Sequence, residues 1–515
     1  MESKDETIIS DIIYGENKTQ PVTIALAGSV DAGKSSLFGV LLTDKLDNGK
    51  GSARNEIAKH KHEIESGRTS DITSKVVNID GTDLHFTDLC GHEKYLKTTL
   101  AGITGSFFDY GIVMVGANRG VLTMTEEHLA ILFHMKIPFI ILISKIDFTP
   151  YDIYERTINN IRRICKALNR KPLFIGKYAK SDSSVDKTGP VETYLEGSES
   201  IANNILRKCA KDMKNNIRTV PVISISNKTG YHISVVRRLM KELKPRELWD
   251  KEDIDGSIFS IDGVFTPPGV GLVVSGTVKG KDIVEGSTMI IGPIFGNYPT
   301  IKVWSIHNNK SERVKVLSDR EKGCLAIKFI NKKDGYDRHS IRRGAVVLSS
   351  KELTKNTCYE FTARILILRH PTSISEHYTP VIHCGSIRQS ARIIIIDVTK
   401  NSKNINEGKV DETEKTILRT YDKAIVRFHF LQRPEFVEIG KTFMFREGTT
   451  RGRGEVIDVV PLGEEWIDID QDTFHVNDTE LRKKMLSGIA ESETKQTEET
   501  KTKDAVKIDV DETKK

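Results

Sequence analysis

GSVDAGKS, Gly28 to Ser35, lies between the apolar run VTIALA and the helical pattern SSLFGVLL. It fits G-x-x-x-x-G-K-[ST] at a strand-to-helix junction, where that pattern has a physical purpose. Gly28 and Gly33 let the backbone turn tightly, so that the N–H groups along Gly28, Ser29, Val30, Asp31, Ala32 and Gly33 wrap phosphates, helped by the positive end of the next helix. Lys34 then reaches the β- and γ-phosphates. The Ser35 hydroxyl is placed to ligate Mg²⁺, and Ser36 continues the helix beside the α-phosphate.

Working outward, residues 21–246 alternate β-rich runs (VTIALAG, LHFTDLC, YGIVMVGAN, FIILISKID, VPVISIS) with helical patterns such as IYERTINNIRRICKALN and HISVVRRLMKEL. Successive β-α-β units read this way and predict a mostly parallel sheet with helices on both faces. From Ser257 to about Arg453 short strands alternate with Gly, Asn and Asp turns. This all-β part divides near SSKELTKN (349–356) into two blocks, each the size of a small closed barrel. The expected fold is an α/β P-loop domain followed by two β-barrels. The expected boundaries are a flexible segment at 1–20, a nucleotide-binding domain at 21–246, barrels at 255–350 and 356–463, and a polar, largely disordered tail at 464–515. Polar insertions at 177–200, 334–340 and 400–415 read as solvated loops.

Three globular domains suit a chain of 515 residues. Six cysteines with no C-x-x-C pair suggest neither a disulfide framework nor a zinc knuckle, and fit a reducing compartment. The longest apolar stretches, such as PFIILI, fall far short of the ~20 residues that span a bilayer, and the N-terminus lacks the pattern of a signal peptide. A soluble, cytoplasmic monomer without a membrane partner is the expectation. A net charge of +6, from 77 basic and 71 acidic residues, permits an RNA partner without demanding one.

Three further elements follow in order. DLCGH supplies Asp88 at a strand end, positioned to hold Mg²⁺ through water; Gly91, whose N–H senses a γ-phosphate; and His92, placed to orient an attacking water. SKID, Ser144 to Asp147, ends the strand FIILI; Lys145 lies within it, and Asp147 accepts from the N1–H and 2-amino group of guanine, a donor pair adenine lacks. Ser226, Asn227 and Lys228 follow the strand VISI, where a backbone N–H meets guanine O6. The ordered set implies GTP and GDP, with Mg²⁺, as ligands. Lys34 and His92 are the candidate catalytic residues.

With these residues in view, the chain over about 20–462 resembles the translational GTPases of the elongation factor Tu and elongation factor one alpha type, most closely the branch of GTP-binding protein 1. The resemblance rests on GSVDAGKS and DLCGH in place of G-H-V-D-H-G-K-[ST] and D-x-P-G-H. It implies that the segment 47–72 is a long first switch, with Thr69 closing on Mg²⁺ and the γ-phosphate, and that residues 92–99 begin the second. Val30 takes the place of one half of an apolar gate beside His92, whereas Arg68 replaces the aliphatic other half. Further departures are Ala32 for His, Cys90 for Pro, and Ser144 for Asn, the last removing a side chain that braces the P-loop.

In the barrels, FTPPGVGLVVSGTVKG (265–280), HPTSISEHYTPVIHCGSIRQ (370–389) and FREGTTRGRGEV (445–456) resemble the second and third domains of these factors. The resemblance implies ribosomes and tRNA or another RNA as partners, with Arg388, Arg446, Arg451 and Arg453 as candidates for an RNA-facing patch. No arginine is assignable as a finger in cis, so turnover is expected to need a partner. An alternative of another class is a GTP-dependent binding module that recruits RNA-decay or rescue proteins through its barrels and tail, with little hydrolysis.

Overall fold

The computed structural model describes residues 21–56, 73–175, 199–215, 218–248, 254–331, 336–397 and 417–462. The segment 1–20, Arg68 and Thr69, most of the 177–200 insertion, the 400–415 insertion and the tail 464–515 lie outside the described residues.

The first sheet is built of β1 (Val22–Gly28), β2 (Thr73–Ile79), β3 (Thr82–Asp88), β4 (Tyr110–Gly116), β5 (Phe139–Ser144), β6 (Lys171–Ile175) and β7 (Thr219–Ser224), in the order β2-β3-β1-β4-β5-β7-β6. The strands β1, β4 and β5 are near-continuous apolar runs because both faces of the sheet are covered. Along β1, Ile24 and Leu26 enter one core and Ala25 and Ala27 the opposite one, the period of two that a strand imposes. Helices α1 (Lys34–Thr43), α2 (Leu96–Gly105), α3 (Thr123–His134), α4 (Tyr151–Ala167), α5 (Glu199–Asn215) and α6 (Ile233–Glu242) supply the cover. The buried side chains of α1, α5 and α6 belong to the first core, and those of α2, α3 and α4 to the second.

Strand β1 pairs in parallel with both β3 and β4. The chain winds away in two directions from it, and the crevice at such a switch point is where open α/β sheets bind ligands. Strand β2 departs from the parallel pattern: it runs antiparallel to β3. Asp80 (φ 48°) and Gly81 (φ 84°) connect the two, and an Asp-Gly pair with both φ positive makes a tight hairpin turn. The 177–200 insertion is also shorter than expected, since Glu199 and Ser200 already belong to α5.

The next barrel closes through β8 (Ser257–Phe265), β9 (Val273–Gly280), β10 (Thr288–Gly292), β11 (Thr300–Asn308), β12 (Lys322–Phe329) and β13 (Val346–Leu348), ordered β10-β13-β8-β9-β12-β11 with β11 pairing back to β10. A short 3-10 helix, Lys351–Asn356, leads to the last barrel. That barrel contains β14 (Glu360–Arg369), β15 (Val381–Cys384), β16 (Ile387–Asp397), β17 (Lys423–Phe430), β18 (Thr442–Glu447) and β19 (Thr450–Val460), closed in the order β14-β17-β16-β15-β18-β19. Phe361, Phe428, Phe430, Phe443 and Phe445 fill its interior.

Polar contacts join the three parts. The Arg320 guanidinium meets the fully buried Asp109 carboxylate at 2.5 Å, and the same carboxylate accepts from the Arg246 backbone N–H at 2.7 Å. Asp109 thereby ties the sheet both to the segment leaving α6 and to the first barrel. Between the barrels, Arg342 meets Glu435 at 2.6 Å. Strand β19 presents Arg451, Arg453 and Glu455 to the α/β part: Arg451 pairs with Glu127 of α3, Arg453 donates to the His134 carbonyl at 3.1 Å, and Glu455 meets Lys136 at 3.7 Å. Two of the four arginines expected on an RNA-facing patch are therefore spent on the α/β part. Alternation along the strand explains it: Thr450, Gly452 and Gly454 point inward, so the residues between them share one outer face. Arg388 is exposed on β16.

Candidate nucleotide site

At the C-terminal end of β1 the chain turns through Gly28 (φ 134°), Asp31 (φ 60°) and Gly33 (φ 85°) into α1. A side chain on Gly28 would overlap the Met114 carbonyl of β4, so the position needs glycine for space as well as for its backbone angle. Helix α3 holds this loop from behind: the buried His128 accepts the Gly28 N–H at Nδ1, 2.9 Å away, and the Thr125 and Ser29 hydroxyls are 2.5 Å apart. Burial, aided by the nearby Lys34 charge, pulls the His128 pKa down to about 3, and the neutral ring is the form that accepts this bond.

Lys34 lies buried beneath the loop, its ammonium donating to the Ser29 carbonyl at 2.9 Å. Burial lowers its pKa, while Asp88 opposes that shift. Gly91 passes so close to Lys34 and to the Gly28 carbonyl that no side chain fits there. The Ser35 hydroxyl donates to Asp88 at 2.7 Å. These two hard oxygen donors, beside a phosphate-sized hollow, form a pair suited to a Mg²⁺ that takes its remaining ligands from phosphate and water.

A cavity of about 300 Å³ opens in front of these groups. Val30, Asp31, Gly33, Lys34, Ser35, Ser36 and Gly91 line its phosphate end, and Lys145, Asp147, Phe148, Asn227 and Lys228 its other end. Two expected residues, Ser226 and Ser144, act from behind the wall, and Asn227 ties the lining to the P-loop. The Ser226 hydroxyl donates to Asp147 at 2.9 Å, fixing the carboxylate plane that would meet a base edge. Ser144 donates to the Ala32 carbonyl at 2.7 Å, and the Asn227 side-chain amide to the Gly33 carbonyl at 3.2 Å. The expectation that Ser144 leaves the P-loop without a brace is thus corrected: the shorter side chain still reaches the loop, and Asn227 adds a second tie.

His92 stands apart from this lining. It is half-buried, its Nδ1 accepts the Lys94 backbone N–H at 3.1 Å, and its ring packs edge-on against Tyr95. Thr69, expected at the metal, lies outside the described residues. The residue-by-residue expectation did not include Asp47, Gly49, Lys50 and Gly51, which also line the cavity, nor Phe148, which is 59% exposed beside Asp147.

Comparison with known proteins agrees with this architecture. Residues 19–246 match the family model of the elongation factor Tu GTP binding domain, and residues 354–460 that of the elongation factor Tu C-terminal domain. Translation elongation factor SelB from Methanococcus maripaludis, solved in complex with the GTP analogue GppNHp, shares the fold. Its TM-score is 0.57 at 20% identity, over 88% of this chain and 82% of that one. These matches define a GTP-binding protein built like a translation elongation factor. It is 34% identical to GTP-binding protein 1 of Xenopus laevis over 86% of its own length and 30% identical to human GTP-binding protein 2 over 85%. The chain belongs to the family of these GTP-binding proteins, and it spans 64% of the length of the Xenopus relative and 69% of the human one.

Proposed function

We propose that this chain binds GTP with Mg²⁺ and hydrolyses it in the cytoplasm, acting with ribosomes and with tRNA or another RNA. The hydrogen bond from Ser226 to Asp147 carries the nucleotide assignment, because it fixes an acceptor pair against which only guanine presents two matching donors. Lys34 binds the β- and γ-phosphates and stabilises charge on the transferred group. Ser35 and Asp88 would hold Mg²⁺, which would supply positive charge to offset the charge that develops on the phosphates. The N–H of Gly91 reports the γ-phosphate, and His92 orients the attacking water once it turns from its place beside Lys94. The units are a GTP-binding domain at 21–246 and barrels at 255–350 and 356–463, of which the barrels meet the RNA.

The position of His92 outside the cavity lining favours a second reading, a GTP-dependent binding module in which turnover matters little. Turnover by the purified protein with and without ribosomes, with ATP as control nucleotide and His92→Ala as control protein, decides between them. Stimulation that requires His92 and ignores ATP is the expected result. Tight GTP binding with no stimulated turnover supports the binding module.

A further inference from the structure

The stretch DNGKG, Asp47–Gly51, belongs neither to the phosphate cradle nor to the Asp147 wall, yet it lines the same cavity. One side chain shapes it. The Asp47 carboxylate, 8% exposed, accepts the N–H groups of Gly49 at 2.9 Å and Gly51 at 3.2 Å through Oδ2, and that of Ala53 at 3.0 Å through Oδ1. Gly49 and Gly51 have φ of 82° and 88°, so the backbone curls around the carboxylate in a conformation open to glycine.

The curled loop is fastened to the base-side turn. The Asp47 N–H donates to the Asn227 carbonyl at 2.9 Å. A Cβ on Gly49 would lie 3.3 Å from the Lys228 stem, and a Cβ on Gly230 would lie 3.3 Å from Leu46. Asn227 in turn ties back to the P-loop at Gly33. Gly91 and the Ser35–Asp88 pair, the groups that would distinguish a triphosphate from a diphosphate, belong to the phosphate end of the site.

We propose that Asp47 is a positioning residue of the nucleotide site, holding Asp47–Gly51 as a fixed wall on the base and ribose side that must open before nucleotide leaves. The proposal rests on the guanine-nucleotide reading above. Since the wall is anchored away from the γ-phosphate, it retains GDP and GTP equally. This separates it from a switch element, which responds to the triphosphate alone.

The test is stopped-flow release of mant-GDP and mant-GppNHp from the full chain, comparing wild type with Asp47→Ala and Asp47→Asn. Asp47→Ala is expected to speed release of both nucleotides by roughly tenfold and by the same factor, since several hydrogen bonds shaping the wall are lost together. Asp47→Asn, which keeps one acceptor oxygen, falls between, and the preference over ATP stays at the wild-type value. If Asp47→Ala fails to fold, the Asn variant carries the same comparison. Faster release of the triphosphate alone overturns the proposal in favour of a switch, and unchanged release of both overturns it outright. Loss of the parent reading shows separately, as a wild-type protein without guanine preference.

Discussion

Two glycine-and-cation stretches, GSVDAGKS at 28–35 and TRGRG at 450–454, look alike in composition and do opposite work. In the first, Gly28 and Gly33 adopt positive φ, the loop borders a hollow, and Lys34 is turned inward beneath it. In the second, the backbone is ordinary strand, and the room left by Gly452 and Gly454 is filled by the rings of Phe445 and Phe443. One set of glycines makes space for a ligand and the other for the barrel's own core. A glycine beside a cation therefore carries functional meaning only through what occupies the space it leaves.

The sharpest way to break this contrast is Gly28→Ala. The added methyl meets a backbone carbonyl at a φ that disfavours any side chain, so GDP affinity should fall by roughly a hundredfold, measured by calorimetry. Trimming Met114 should not restore it, because the overlapping atom is main chain. Near-normal affinity would show that the P-loop has slack and that the glycine is incidental.

Gly452→Ala should behave differently. The overlap is with the Phe445 ring, so a cost of about 2 to 3 kcal/mol in a urea titration is expected, with GDP affinity unchanged. Adding Phe445→Leu should recover more than half of the loss, which is the behaviour of two residues sharing one space.

The same distinction explains what the sequence disclosed. The P-loop, Asp147 and the SNK turn are local patterns whose chemistry is written in adjacent residues, and they lie together at one cavity. Ser144 as a brace and Ser226 as a support depend on strands distant in sequence meeting side by side, and nothing beside either residue announces it. DNGKG was read by resemblance as the start of a long first switch and not as a wall, since its fastening to Asn227 crosses 180 positions. Strand β2 was missed because TSKVVNI buries only three of its seven residues fully, leaving a faint alternation. The Asp-Gly turn after it was the usable signal.

A pH titration of stability sharpens the comparison on the side of the P-loop. The folded pKa of His128 is depressed to about 3 against an unfolded value near 6.5. The unfolded chain therefore binds the extra proton first, and stability falls as pH drops below about 6.5 and continues to fall toward 3. Between pH 7 and pH 5 the wild type should lose about 2 kcal/mol more than His128→Gln, which keeps an acceptor for the Gly28 amide without titrating in that range. Equal losses in the two proteins would place the acid sensitivity elsewhere, with His85 and His134, both pushed down to about 4 by burial, as the next candidates.

The smallest effect is expected at Arg451, where the barrel's outer face meets α3. The pair with Glu127 is partly exposed, 27% and 12% on the two side chains, so Arg451→Ala should cost only about 1 kcal/mol. Its location makes that loss informative. The same helix that carries Glu127 also carries Thr125 and His128 to the P-loop, so weakening the barrel contact should raise hydrogen exchange along α3 and at Gly28 while leaving RNA affinity alone. Under the proposed RNA partnership, Arg388→Ala, at an exposed position of β16, should do the reverse, lowering RNA affinity a few fold without touching α3. If Arg451→Ala instead reduces RNA binding as much as Arg388→Ala and leaves exchange in α3 unchanged, the arginines of TRGRG serve a ligand after all. The two glycine-and-cation stretches would then differ in partner rather than in kind.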